Sequence, residues 1–289
     1  MLGEKTFDMK NALVLAGGGV AGIAWELGVL RGLADTDPAL AGRVLAADLV
    51  VGTSAGSAVA AQITSGVPLT DLYDRQLSEA SAEIEVQLDM EELLARFTAA
   101  VSATASPDEA LRAVGALALD TETVAEPVRK AAIAARLPVP DWPDRVMLLP
   151  AVDALTGELT VFSRDSGVAL VDAVAASCAV PGIWPPVTIN GRRYIDGGVQ
   201  SPTHADLAAG YDRILIITPS DPAQPGPFGA LDEEMERLKP GRVNVIAADA
   251  VSLAAFGTNP LSPATRPPAA RAGRAVGLAH AAAVASLWS

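Results

Sequence analysis

Cysteine and histidine are both scarce in this chain of 289 residues: Cys178 stands alone, and His204 and His280 are the only imidazoles. One thiol cannot close a disulfide within the chain, so the fold has to rest on packing and hydrogen bonds, and a reducing compartment is expected. No charged-then-apolar leader precedes the first apolar strand near Asn11, which also points to the cytoplasm. Two histidines limit the chemistry as well, because a Ser-His-Asp triad must recruit one of them as its base. His204 lies in Ser201-Pro202-Thr203-His204-Ala205-Asp206 at an expected helix start, and His280 in an alanine-rich terminal stretch. Neither place suits a triad.

Long apolar runs and cations are also in short supply. The longest charge-free run, Leu49 to Thr70, is interrupted by Gly, Ser, Thr, Gln and Pro, so no membrane span is expected. Lys and Arg number 21 against 34 Asp and Glu, a formal net charge of −13. Nucleic acid is thereby excluded as a partner, since phosphate backbones demand clustered cations. The same balance disfavours adsorption of the body of the protein to anionic membranes. The segment from Ala250 to Ser289 differs, with no acid and with Arg266, Arg271 and Arg274. Two readings stand for it: a helix docked on an acidic body, or an interfacial segment whose Leu278, Val284, Leu287 and Trp288 make transient contact with a membrane surface.

Half of the residues are hydrophobic, enough for one large core, and no linker or repeat divides the chain, so 1–289 is expected to be a single domain. Strands are predicted near Asn11 to Ala16, Leu49 to Val51, Val146 to Val152, Leu159 to Ser163, Arg213 to Thr218 and Arg242 to Ala247, with helical patterns between. A hairpin is predicted from Pro186 to Ile189 and Arg192 to Ile195, closed by Asn190-Gly191. Strand-helix alternation with near-continuous apolar strands predicts an α/β fold, a three-layer α/β/α arrangement whose central sheet is largely parallel. The span 67–142 departs from this and reads as a helical insertion or lid. Asp89 with Glu92, and Ser106-Pro107 with Glu109, have the form of helix-start caps there. Met90, Leu93, Leu94, Phe97 and Val101 recur at helical spacing, either as core or as an acyl-chain wall. Residues 257–289 form a Pro/Ala/Arg-rich segment and a closing helix.

Three motifs carry chemistry. Gly52-Thr53-Ser54-Ala55-Gly56 follows an apolar strand and opens a small-residue helix, the context of a nucleophile elbow: a serine held in a strained turn, its hydroxyl exposed, between glycines that let backbone pass close by. The helix start beneath Ser54 favours an oxyanion beside it. Gly17-Gly18-Gly19-Val20-Ala21-Gly22 follows the first strand. A dinucleotide site would require an acid ending the second strand, but Asp35 and Asp37 fall in a turn-like stretch and Asp48 precedes its strand; a P-loop would require a following Gly-Lys-Ser/Thr. What remains is a nest of bared N–H groups able to hold an anion or a developing oxyanion. Tyr194-Ile195-Asp196-Gly197-Gly198 then fixes a carboxylate at a strand end, either as a turn cap or as the base of a Ser54/Asp196 dyad.

The ordered trio of glycine triplet, GxSxG elbow and Asp-Gly-Gly resembles the patatin-like phospholipase family, over most of the chain from Ala12 to about Ala255. The resemblance implies that Ser54 is the nucleophile and Asp196 the base, that N–H groups around Gly17, Gly18 and Gly19 form the oxyanion hole, and that Gly22, Gly52, Gly56, Gly197 and Gly198 are motif positions. It implies a lipid or other acyl-ester substrate and hydrolysis with no metal and no other cofactor. One departure stands out, because members often carry Arg or Lys where this chain has Ala21. An acyltransferase using the same acyl-enzyme, and a non-catalytic anion- or nucleotide-binding protein, are the rival readings.

Overall fold

Leu13, Val14 and Leu15 have no exposed surface, as expected of Asn11–Leu15, a strand of the parallel part of the sheet covered on both faces. A computed structural model describes residues 9–78, 80–87, 90–221 and 231–288. The first half of the chain runs β1 (Asn11–Leu15), α1 (Gly19–Thr36), α2 (Pro38–Leu45), β2 (Leu49–Gly52), α3 (Ala55–Ile63), α4 (Leu69–Leu77), α5 (Met90–Ser102), α6 (Pro107–Asp120) and α7 (Glu126–Arg136). The second half runs β3 (Val146–Asp153), β4 (Leu159–Phe162), α8 (Leu170–Ser177), β5 (Val187–Ile189), β6 (Arg192–Asp196), β7 (Arg213–Thr218), α9 (Leu231–Arg237), β8 (Arg242–Ala247), α10 (Ala250–Phe256) and α11 (Arg266–Trp288).

The eight strands form one sheet in the order β5-β6-β3-β2-β1-β7-β8, with β4 also on β3. Strands β3, β2, β1, β7 and β8 are mutually parallel, while β4, β5 and β6 are antiparallel additions. The sheet is therefore mixed, its parallel part flanked by helices in an α/β/α arrangement. Strand β3 joins the two parts: its first residues pair with β2, up to Val51 opposite Leu148, and its later ones with β6, where Ala151 faces Asp196. Three residues beyond Val51 and Leu148 lie Ser54 and Ala151, so this register brings the elbow and Asp196 to one level. The β5–β6 turn, Asn190-Gly191, has positive φ at both residues, 51° and 79°, as a type I′ hairpin requires.

Helices α1 and α11 lie against each other with almost no side chain between them. A Cβ on Gly28 would fall 2.3 Å from the Ala270 carbonyl oxygen, and one on Gly277 only 2.1 Å from that of Val29. In this docked position Val284, Leu287 and Trp288 are buried and Leu278 alone of the four is exposed. Among the described residues no helix is long and apolar enough to cross a membrane. The stretch expected to be turn-like around Asp35 is instead helical to Thr36. Arg31 and Arg274 hold Asp35 by ion pairs of 2.9 and 2.5 Å, and Asp37 caps an unforeseen helix, α2, accepting from the N–H groups of Ala39 and Leu40.

In the span 67–142, Ser106 caps α6 by accepting from Glu109 N–H, and Glu109 reaches back to the N–H of Ala105. Asp89 lies outside the described residues. Phe97 and Val101 pack on a small core built around Leu111, Val114 and Ile195, whereas Leu94 is exposed. The stripe on α5 is thus partly core.

Candidate active site

Ser54 follows β2 and caps α3 with φ 51° and ψ −113°, backbone angles costing a non-glycine residue on the order of 1–3 kcal/mol. Its surroundings hold it there. The Ser54 N–H donates to Ser177 Oγ at 3.0 Å, and its carbonyl accepts from Ser57 Oγ at 2.6 Å and Cys178 Sγ at 3.1 Å. Both flanking glycines are sterically required: a Cβ on Gly56 would lie 2.0 Å from the Leu15 carbonyl oxygen, and one on Gly52 would lie 2.5 Å from that of Gly56. Burial pushes the Cys178 thiol above its ordinary pKa, so this residue braces the elbow and stays un-ionised.

The glycine triplet passes alongside, with the Cβ position of Gly17 3.5 Å from Ser54 Cβ. Gly18 caps α1 and Gly19 has φ 66°, an angle that glycine adopts without strain. Of the three donors expected for an oxyanion hole, Gly17 is removed, because its N–H already donates to the Pro202 carbonyl at 2.9 Å. Those of Gly18 and Gly19 have no acceptor among the described residues and open the 18-residue helix α1. Gly22 packs between Pro219 and Ala55, bringing the start of α1 against the elbow helix, so two positive helix ends meet here. The acids a dinucleotide site could use are engaged elsewhere: Asp48 accepts from Asn11 N–H, and Asp35 and Asp37 are held as described above. Ala21 is buried, and its N–H donates to the Pro260 carbonyl.

Asp196 ends β6, buried, with Oδ1 accepting from Gly198 N–H at 2.7 Å. A Cβ on Gly197 would lie 2.5 Å from the Pro150 carbonyl oxygen, which explains the first glycine of Asp-Gly-Gly. Oδ2 is buried and completes no hydrogen bond among the described residues, yet the Ser54 hydroxyl is near enough to favour its ionised form. Catalytic contacts are often loose until substrate arrives. Burial pushes the Asp196 pKa up to about 7, against the opposing pull of Ser54, the Gly198 N–H and Arg129. His204 is buried and shares a 3.0 Å hydrogen bond between Nε2 and the Gly197 carbonyl, and burial lowers its pKa. It steadies the loop behind Asp196. Neither His204 nor His280 bonds to Ser54 or Asp196.

The hollow over Ser54 is small, about 20 Å³, and its lining includes Gly19, Val20, Arg129, Arg136, Trp184 and Leu261. Val20 and Arg136 also line a neighbouring cavity of about 220 Å³. The arginines of α7 and the bracing pair Ser177 and Cys178 escaped the sequence reading: Arg129 and Arg136 sit in a charged amphipathic segment that reads as a solvated helix face. Among the described residues no group of His, Cys, Asp and Glu is arranged to hold a metal ion.

The family model described as patatin-like phospholipase matches residues 13–209. Among solved structures, VipD from Legionella pneumophila is 14% identical, aligned over 95% of this chain and 67% of its own, with a TM-score of 0.48. The type III effector protein ExoU is 18% identical over 96% of this chain and 53% of its own, with a TM-score of 0.44. This chain therefore spans about two thirds of the first and about half of the second. None of the curated proteins compared matches it. With the match extending from the first strand past the Asp-Gly-Gly motif, the chain belongs to the patatin-like phospholipase family of lipid acyl hydrolases.

Proposed function

We propose that this protein hydrolyses a carboxylic ester of an acyl lipid through a Ser54/Asp196 dyad and an acyl-enzyme. The observation that carries this reading is a serine in a strained, positive-φ turn beside a buried carboxylate whose second oxygen lacks a partner. Asp196 Oδ2 takes the hydroxyl proton as Ser54 Oγ attacks the ester carbonyl, and the N–H groups of Gly18 and Gly19 receive the oxyanion. The tetrahedral adduct collapses, the C–O bond breaks, and Asp196 returns the proton to the departing alcohol. Water then gives a proton to Asp196 and attacks the acyl carbonyl; the bond to Ser54 Oγ breaks, Asp196 returns the proton to that oxygen, and the fatty acid leaves. A carboxylate whose pKa lies at about 7 is a better base near neutrality than an ordinary Asp, because proton transfer is most effective when the two values match.

Labelling with a fluorophosphonate, read by peptide mass spectrometry, is expected to mark Ser54 alone. An intact, folded chain that stays unlabelled would overturn the reading in favour of a binding protein. A triad is tested separately by replacing His204 with Asn, which tolerates the left-handed φ of 47° found there, and His280 with Ala. The double variant is expected to keep kcat/KM within about tenfold of the unaltered protein, where loss of a triad histidine costs on the order of 10⁴ or more.

A further inference from the structure

Arg129 is 4% exposed, and its Nε and Nη1 have no hydrogen-bond partner among the described residues. Its guanidinium carbon lies over the Trp184 ring, 3.7 Å from its centre, so the aromatic face positions the fork while Nε and Nη1 stay unspent. Buried cations are expensive unless paired, and an Arg fork matches the two oxygens of a carboxylate or phosphate. The group lines the same small hollow as Ser54. Burial lowers its pKa to about 9, which leaves it charged at neutral pH.

The adjoining cavity has the same sign. Arg136 is matched by Glu83 at 2.7 and 2.6 Å. Arg266, in contrast, donates to Gln76 Oε1 and to the carbonyls of Ser78 and Ala80, and feels Glu83 only at longer range, so three arginines of the two hollows face this one carboxylate. A chain of net charge −13 thus carries a cationic concavity beside its serine, and a concave site of one sign concentrates ligands of the other.

Building on the acyl-hydrolase reading, we propose that Arg129 is the specificity-determining residue of the site, receiving an oxyanionic group, phosphate or carboxylate, on the same molecule as the scissile ester. The substrate class is an anionic acyl ester, with the alcohol side bearing the charge and lying toward α7. Arg129 acts by binding and takes no proton.

The test uses the Ser54→Ala chain, which binds without turnover, titrated calorimetrically with three monomeric decanoyl esters: decanoyl-lysophosphatidic acid, the decanoyl ester of glycolic acid, and neutral monodecanoylglycerol. At least one anionic ester is expected to bind about tenfold to a hundredfold more tightly than the neutral one, the range for hydrogen bonds to charged groups. A preference for the phosphate ester alone, with competition by inorganic phosphate, assigns phosphate; a preference shared by both anions assigns a general oxyanion site. Adding Arg129→Met is expected to bring the ratio of neutral to anionic affinity near one, and Arg129→Lys to restore part of it. Equal binding of charged and neutral esters by the Ser54→Ala chain would overturn the proposal whatever the variants do, as would a preference that survives Arg129→Met in a folded chain. Fluorophosphonate labelling of Ser54 is scored independently, so loss of the hydrolase reading and loss of this one are distinguishable.

Discussion

Ser54→Ala is expected to lower kcat/KM for p-nitrophenyl esters by about 10⁴-fold or more, the scale on which loss of a covalent nucleophile acts in serine hydrolases. Folding should survive, because the hydroxyl is the only group removed and the elbow is braced through backbone atoms: the Ser54 N–H on Ser177, and its carbonyl on Ser57 and Cys178. Alanine adopts φ 51° at a similar energetic cost, so urea unfolding midpoints of the two chains should agree closely. The nest at Gly18 and Gly19 stays intact, so the loss belongs to the hydroxyl. A folded variant that retains more than a tenth of the activity would show that another group attacks the ester.

The core of this site was legible in sequence because its parts are local. An elbow needs only a strand, a helix start and two glycines within five residues, and the clashes at Gly52 and Gly56 are the physical content of that pattern. The hairpin placing Asp196 was readable for the same reason, since Asn190-Gly191 supplies both positive φ angles. What escaped is what depends on distant packing. The Gly17 N–H is spent on Pro202, a residue far along the chain, and no local rule separates it from its two neighbours. Ser177 and Cys178 reach Ser54 from the end of α8, and Arg129 is buried against Trp184, a residue far along the chain. The turn-type residues Ala34 to Pro38 hid how narrow the break is: α1 runs to Thr36, with Asp35 paired to Arg31 and Arg274, and only Asp37 is extended, capping α2. The sheet was expected to be largely parallel, and its parallel half is; the antiparallel additions turn on β3, whose two ends pair differently.

Asp196→Asn is expected to abolish ester hydrolysis, by about 10³-fold or more, and to remove the acid limb of the pH profile with it. The carboxylate is the active form, so with a pKa near 7 kcat/KM of the unaltered protein should fall as pH drops through that value, following one group. An amide can still accept a hydrogen bond from Ser54 but cannot take its proton. The same shift has a stability consequence of definite sign. An Asp titrates near about 3.9 when unfolded, so between that value and about 7 the native chain holds a proton that the unfolded chain has released. Stability is therefore lost as pH rises through this window, by on the order of 4 kcal/mol once both forms are ionised. Asn carries no such penalty. Buried Glu26, its pKa also raised by burial, adds a pH dependence common to both chains, so the difference between them isolates Asp196. Urea unfolding at pH 4.5 and pH 8 should show the Asn variant gaining on the parent at the higher pH by up to that amount. Retention of activity with an unchanged acid limb would assign the base to another residue; a stability difference flat in pH would show that Asp196 is ionised in the native chain well below neutrality, leaving it too weak a base for the dyad.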